Sequence, residues 1–166
     1  MTDAARVHLS RTEPEAYKAL AALASTVGDI AKANGISPVL RELVQLRVSQ
    51  INGCAFCLRV HTTKALAAGE SVDRLGLVAA WRETSVFTDT ERAALDLAES
   101  MTLIQNGHVP DEVYERVRRV LNEREYTAIA WITVSINAFN RVAITSRYLV
   151  EPEEAPQDAP TPPTVA

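Results

Sequence analysis

The 166-residue sequence is poor in the residues that interrupt regular structure. Glycine occurs only 6 times, and five of the 8 prolines lie beyond residue 150. Sandwiches and barrels need frequent turn formers, so this scarcity argues against an all-β fold and favours helices. With 47% hydrophobic residues the chain can bury one core. We therefore expect a single all-α domain, a bundle of about six to seven helices.

The chain also lacks an excess of positive charge and a long apolar run. It carries 17 Lys and Arg against 21 Asp and Glu, which argues against a nucleic-acid partner. The longest uncharged apolar stretch, residues 128–134, is far too short to cross a bilayer, and residues 1–10 contain no apolar core of a secretory signal. We expect a cytoplasmic protein that binds neither nucleic acid nor membrane.

The chain divides by composition into three parts. Residues 1–11 are predicted to form a flexible lead, and residues 12–149 the helical domain. Residues 150–166 contain five prolines and four acidic residues, which predicts a disordered tail. Within the domain, capping residues and helical periodicity predict that helices begin at or next to the following positions: Thr12, Ser37, Cys54, Ser71, Thr88, Pro110 and Arg124.

The last predicted helix, residues 124–148, is apolar around most of its circumference. Such a helix must be buried on most sides, either at the centre of the bundle or in a subunit interface, and Trp131 is expected to be an anchor there. Asn137, Asn140 and Arg141 are polar exceptions that are expected to cap neighbouring helices or to bridge subunits.

The segment C-A-F-C-L-R-V-H holds the only two cysteines of the chain, Cys54 and Cys57, together with His61. Two cysteines in an intracellular chain favour redox or metal chemistry over a structural disulfide. On a helix, Cys57 and His61 differ by about 40° and Cys54 lies within about 60° of both, so the three share one face.

Glu42 is the fourth predicted member of this site. It lies on the apolar stripe of the preceding helix with Val39 and Leu46. If Asn52 and Gly53 form a turn between two antiparallel helices, residue 42 stands level with about residue 63. Because a carboxylate on an apolar stripe needs a partner, we expect Glu42 to face His61.

These residue types suit thiol chemistry. A thiolate attacks a peroxide, a histidine takes the thiol proton, and a carboxylate stabilises the resulting imidazolium. The second cysteine then attacks the sulfenic acid and forms a disulfide. The pairing of His61 at i+4 favours Cys57 as the attacking thiol, whereas the positive end of the helix favours Cys54.

The spacing of Glu42, Cys54, Cys57 and His61 resembles the core motif of the carboxymuconolactone decarboxylase superfamily, in its alkylhydroperoxidase D-like branch. The segments at 81–95, 107–114 and 135–143 resemble the same branch, so the likeness covers roughly residues 15–148.

The resemblance implies an all-α homo-oligomer, a trimer or hexamer, that reduces alkyl hydroperoxides or disulfides without a bound cofactor or metal. It implies that Cys57 is the peroxidatic nucleophile, that Cys54 resolves, and that His61 and Glu42 relay protons. The implied partners are a hydroperoxide and an external dithiol, such as a thioredoxin- or lipoyl-type protein. Some members carry a second His at the position of Phe56, so the relay toward Cys54 is expected to be weaker here.

Two alternative functions remain. Two Cys, one His and one Glu could supply four zinc ligands in a non-enzymatic metal-binding or redox-sensing oligomer. The decarboxylase branch of the same superfamily uses the fold for a lyase reaction on a lactone, and the paired cysteines argue against that branch.

Overall fold

The computed structural model describes residues 6–152. This part of the chain folds into eight α-helices and one 3-10 helix, with no strand. The first part of the predicted lead, residues 1–5, and most of the predicted tail, residues 153–166, lie outside the described residues. The helices are α1 (Leu9–Thr12), α2 (Pro14–Ala33), α3 (Pro38–Asn52), α4 (Ala55–Ala67), α5 (Val72–Leu77), the 3-10 helix (Val78–Glu83), α6 (Asp89–Thr102), α7 (Asp111–Arg118) and α8 (Glu123–Thr145).

Side-chain caps begin several of these helices where the sequence predicts them. The Leu40 amide donates to Ser37 Oγ at 3.0 Å, and Pro38 opens α3. Thr88 and Glu91 form a reciprocal capping box at the start of α6. The expectation of an all-α bundle and of these starts is confirmed.

Three helices differ from the prediction, two of them in where they begin and one because it is interrupted. Thr12 ends α1 and does not cap α2, because Glu13 takes the position before Pro14. The helix expected to run from Ser71 to about residue 81 is divided into α5 and the 3-10 helix, and Ala80 has non-helical angles (φ −114°, ψ 27°). The last helix begins one residue earlier than predicted, because the Asn122 side chain accepts from two amides and caps it.

Helix α8 lies at the centre of the bundle and packs against α2, α3 and α6. Ile129, Ile132 and Ile136 are fully buried in its core. Within residues 6–152, α8 is the only helix long and apolar enough to span a membrane, but 44% of that window is buried inside the bundle. It therefore packs as the core helix of a globular domain.

The described part of the predicted lead is folded onto the domain. Residues 9–11 belong to α1, and the Leu9 amide donates to Ser146 Oγ at 3.1 Å. His8 is half-buried and stacks on Tyr148 with ring centroids 5.6 Å apart. The domain therefore starts before residue 12, because contacts with the end of α8 hold this segment.

The turn between α3 and α4 places the two halves of the candidate site side by side. Gly53 follows α3 with φ 68°, a left-handed conformation that strains residues with a Cβ. The Cys54 amide then donates to Ser49 O at 3.0 Å and closes the turn. The chain reverses within two residues, so α4 runs back along α3.

We expect Gly53→Ala to lower the free energy of unfolding by about 1 to 2 kcal/mol. A Cβ at this position meets nothing within 4 Å, so the cost comes from the backbone alone. Gly76→Ala is the matched control, because Gly76 is helical and its Cβ also meets nothing. Urea denaturation should show loss for the first variant and no loss for the second; equal effects would disprove the strain at residue 53.

Candidate active site

The site is built on a buried, hydrogen-bonded pair of side chains, one from α3 and one from α4. Glu42 Oε2 lies 2.7 Å from His61 Nδ1, and the two residues are 2% and 6% exposed. The expectation that Glu42 faces His61 across the turn is confirmed. With Nδ1 bonded to the carboxylate, Nε2 is the histidine nitrogen left to exchange a proton with another group.

The second oxygen of the Glu42 carboxylate is held by an arginine. Arg41 Nε and one guanidinium nitrogen donate to Glu42 Oε1 at 3.1 and 3.0 Å. Burial would raise the pKa of Glu42, but the hydrogen bonds and electrostatic attraction of His61 and Arg41 outweigh it and lower the pKa below its ordinary value. Glu42 is therefore an anion at neutral pH.

A small polar cavity of about 140 Å³ reaches this pair from the side of α2. Its walls include Arg41, Glu42, Gln45 and Lys64. A cavity of this size holds a few water molecules, which can carry a proton between solvent and the buried carboxylate.

The two cysteines are reduced and stand at the first turn of α4. Cys54 is the N-cap residue, and the Cys57 amide donates to Cys54 Sγ at 3.3 Å. Both side chains are buried, with 1% and 4% exposed. A backbone N–H aimed at sulfur at a helix start favours negative charge on that sulfur, here Cys54.

Cys57 is in the opposite electrostatic situation. Burial and the neighbouring Cys54 thiol raise the pKa of Cys57 to about 12, although the nearby Asn140 amide acts to lower it. In this reduced state the Cys57 thiol keeps its proton at neutral pH. The sequence left open which cysteine attacks first, since the pairing with His61 favours Cys57 and the helix start favours Cys54. Cys57 can attack first only after it has lost its proton.

His61 bonds to Glu42 rather than to a sulfur. Within residues 6–152 no hydrogen bond joins His61 to either thiol in this state. Cys54 is the N-cap residue of α4, Cys57 and His61 follow in its first two turns, and all three side chains are buried. The link from His61 to Cys57 that the spacing predicts stays a prediction for the reacting state.

Aromatic rings lie over the CxxC segment. Phe56, at the position of the second His of some members, packs edge-on against Tyr148 with ring centroids 5.2 Å apart. The Tyr148 ring also stacks on His8, and its hydroxyl lies 2.5 Å from Ser10 Oγ. Sequence reasoning missed the contact between Phe56 and Tyr148, because the two residues lie more than 90 positions apart in the chain.

Asn140 is the polar group of α8 that the site uses, and it is fully buried beside the turn before Cys54. It bonds to Asn52 and Ser49 and acts on Cys57. Asn140 was expected to cap a neighbouring helix, and its side chain does bond to the side chain of Asn52, the last residue of α3.

Trp131 is 43% exposed, so it does not anchor the core of the bundle.

The zinc alternative has no geometric support in the described chain. Among residues 6–152 no group of three or more His, Cys, Asp and Glu side chains is arranged to hold a metal ion. The carboxylate and imidazole that would be ligands are bonded to each other through Nδ1. His108 is exposed in the loop before α7, away from this site.

Sequence comparison identifies the family. The model of the carboxymuconolactone decarboxylase family matches residues 14–100, more than half of the chain, and the chain belongs to that family. The uncharacterized protein YdfG of Bacillus subtilis is 43% identical over 113 residues, covering 68% of this chain and 77% of YdfG. The uncharacterized protein YnjA of Escherichia coli is 38% identical over 72 residues, covering 43% and 40% of the two chains.

Solved structures agree with this assignment. A protein of unknown function from Agrobacterium tumefaciens, described as a candidate antioxidant defence protein AhpD, superposes with a TM-score of 0.82 at 33% identity, covering 90% of this chain and all of the other. An uncharacterized peroxidase-related protein from Silicibacter shares the fold, with a TM-score of 0.71, 23% identity and coverage of 82% and 71%. The AhpD-like fold and the superfamily resemblance are confirmed.

We expect Glu42→Gln to lower the free energy of unfolding by about 1 to 3 kcal/mol at pH 7. The lowered pKa of Glu42 means that its contribution is present above the unfolded-state value of about 4.5 and is lost as the pH falls through the folded-state value. The difference between the two proteins should therefore shrink in acid. Urea unfolding at pH 7 and at pH 3 measures it.

Glu15→Gln is the control for this titration, because Glu15 is an exposed carboxylate paired only with Lys18. It should change the unfolding free energy by less than about 0.5 kcal/mol at either pH. A constant difference between wild type and Glu42→Gln at both pH values would show that the Glu42 charge does not stabilise the fold.

Proposed function

We propose that this protein is a thiol-dependent peroxidase of the alkylhydroperoxidase D-like type that cycles between a dithiol and a disulfide. The observation that carries the proposal is the contact of Cys54 and Cys57 at the start of α4, one turn before a His61 held by a buried Glu42. The confirmed family and the antioxidant description of the Agrobacterium neighbour support the same class.

In the first proposed step, Cys57 passes its proton to His61, and the thiolate attacks the terminal oxygen of the hydroperoxide. The O–O bond breaks, the sulfur becomes a sulfenic acid, and the leaving alkoxide takes the proton from His61 to give an alcohol. Glu42 stabilises the imidazolium between these two transfers. The hydrogen bond at Nδ1 fixes the ring for this purpose.

In the second proposed step, Cys54 attacks the sulfenic sulfur, releases water and forms the Cys54–Cys57 disulfide. The hydrogen bond from the Cys57 amide favours the Cys54 thiolate that this step needs. An external dithiol, of the thioredoxin or lipoyl type, then reduces the disulfide and is itself oxidised. Such donors work in the cytoplasm, where we place the protein.

Both sulfurs are buried, so substrate and reductant need an opening at the CxxC segment. Phe56 is an exposed aromatic residue between the two cysteines, and its ring rests edge-on against Tyr148. We propose that these rings move to let solvent and substrate reach the sulfurs. The same burial protects the resting thiols from unspecific oxidation.

We expect wild-type protein to lose two free thiols per chain when it is mixed with one equivalent of an organic hydroperoxide such as cumene hydroperoxide. Cys54→Ser should lose one thiol and form a sulfenic acid that dimedone traps at residue 57. Cys57→Ser should retain its thiol, because the attacking sulfur is gone. Thiol titration and peptide mass spectrometry measure these outcomes.

Two results would overturn parts of the proposal. Retention of both thiols by the wild type would refute peroxidase activity, and trapping at residue 54 in Cys57→Ser would reverse the order of the cysteines. The double variant Cys54→Ser/Cys57→Ser tests the lyase alternative, because full decarboxylation of a carboxymuconolactone by that variant would assign the chain to the decarboxylase branch.

We further propose that the protein works as a homo-oligomer, a trimer or hexamer. Helix α8 carries three apolar side chains that are more than a third exposed: Trp131, Val134 and Ile144. Trp131 and Val134 are neighbours at i, i+3, and an exposed apolar patch on a core helix is typical of a subunit contact.

Trp131→Glu should therefore lower the mass measured by light scattering to that of a smaller assembly. Val72→Glu is the matched control, because Val72 is also exposed and apolar but lies on α5. It should leave the mass unchanged. A monomeric wild type would end the oligomer proposal without affecting the thiol chemistry.

A further inference from the structure

A buried chain of amide side chains joins α8 to the turn that carries Cys54. Asn52 Nδ2 donates to Asn137 Oδ1 at 2.9 Å and to Asn140 Oδ1 at 2.8 Å. Asn140 Nδ2 donates to Ser49 Oγ at 3.1 Å. The backbone carbonyl of Ser49 also accepts a hydrogen bond from the Cys54 amide, so the network is bonded directly to the turn that carries Cys54.

The donors and acceptors of this network are fixed from its α8 end. Asn137 Nδ2 donates to the Thr133 carbonyl at 3.0 Å, and a carbonyl can only accept. Asn137 Oδ1 accepts from the Arg141 guanidinium, which can only donate. Asn52 must therefore present its NH₂ group to Asn137, and the same group meets the oxygen of Asn140.

The α3 end of the network requires the same orientation. Ser49 Oγ donates its only proton to the Gln45 carbonyl at 2.8 Å. It must then accept from Asn140, which again places the NH₂ group of Asn140 toward α3 and α4. One of the two Asn140 N–H groups is used by Ser49, and the other is left for a group beside the turn.

We propose that Asn140 donates this remaining N–H to Cys57 Sγ and stabilises the Cys57 thiolate, with Ser49 and Asn52 as the positioning residues that hold its amide in that orientation. This role rests on the proposed function, in which Cys57 is the attacking sulfur. It assigns to α8 a side-chain donor for Cys57, whereas the Cys57 amide of the CxxC segment donates to Cys54 Sγ.

The electrostatic surroundings of Cys57 agree with such a role. The titratable groups that act on it are the Cys54 thiol of its own turn and the Tyr17 hydroxyl of α2, and both disfavour a second negative charge nearby. Burial raises the pKa of Cys57 most strongly, then the Cys54 thiol raises it, and the Asn140 amide is the largest influence that lowers it. Removing that amide therefore leaves the thiolate with little compensation.

The test measures the reactivity of Cys57 alone, in full-length protein carrying Cys54→Ser. The rate constant of alkylation by iodoacetamide is measured from pH 6 to pH 10 with Asn140 intact, with Asn140→Leu and with Asn140→Asp. We expect Asn140→Leu to lower the rate by about 10- to 100-fold at each pH below the thiol pKa, which is the effect of losing one hydrogen bond to an anion.

Asn140→Asp should lower the rate further, because a carboxylate oxygen then faces the sulfur. It keeps the size of asparagine and an oxygen for Asn52, so it serves if Asn140→Leu does not fold. Thr133→Val is the matched control: it removes a fully buried hydrogen-bonding side chain of α8 that bonds only to the Ile129 carbonyl. It should change the rate by less than about twofold.

A purely structural role for Asn140 predicts the opposite sign, because loosening the turn would expose the buried thiol and speed its alkylation. An unchanged or higher rate in both Asn140 variants, with normal circular dichroism, would overturn the proposal. Alkylation needs no peroxide, so a protein without peroxidase activity can still show the Asn140 effect, and the two proposals fail separately.

Discussion

The buried Glu42–His61 pair is the interaction on which the site depends. A carboxylate that is 2% exposed is costly in a protein interior unless hydrogen bonds and positive charge compensate it, and here Arg41 and His61 do so from two sides. The pair requires α4 to run back along α3 in one register, which the two-residue turn at Gly53 provides. That register sets where the first turn of α4 falls, and so where both sulfurs lie.

The two sulfurs stand three residues apart and experience different environments. Cys54 receives a backbone N–H at the helix start, whereas Cys57 faces inward among apolar residues and keeps its proton. The two residues are of the same type, so the difference in their surroundings comes from their positions in the first turn of the helix. The fold thus gives Cys54 a backbone hydrogen bond and raises the pKa of Cys57 by burying it among apolar residues.

Local patterns predicted much of this from the sequence. The apolar stripe and the Asn52-Gly53 turn predicted the Glu42–His61 contact, and capping residues predicted the starts of α3 and α6. What the sequence could not predict depends on residues far apart in the chain. The Asn52–Asn140 bond spans 88 residues and the Leu9–Ser146 bond spans 137. Neither helical periodicity nor capping preference carries information at that separation. The packing of residues 6–11 on α8 and the position of Asn140 beside the cysteines could therefore be seen only in the structure.

His8 stacks on Tyr148 and Phe56 meets Tyr148 edge-on, so these rings bring the first and last parts of the described chain together beside the CxxC segment. Arg59 of α4 also donates to the Glu151 carbonyl, which holds the backbone that follows α8 against the helix of the CxxC segment. Shortening the chain past residue 8 at one side or past residue 148 at the other would therefore remove a ring from the aromatic cluster beside the CxxC segment, although both cuts are far from Cys57 in the sequence.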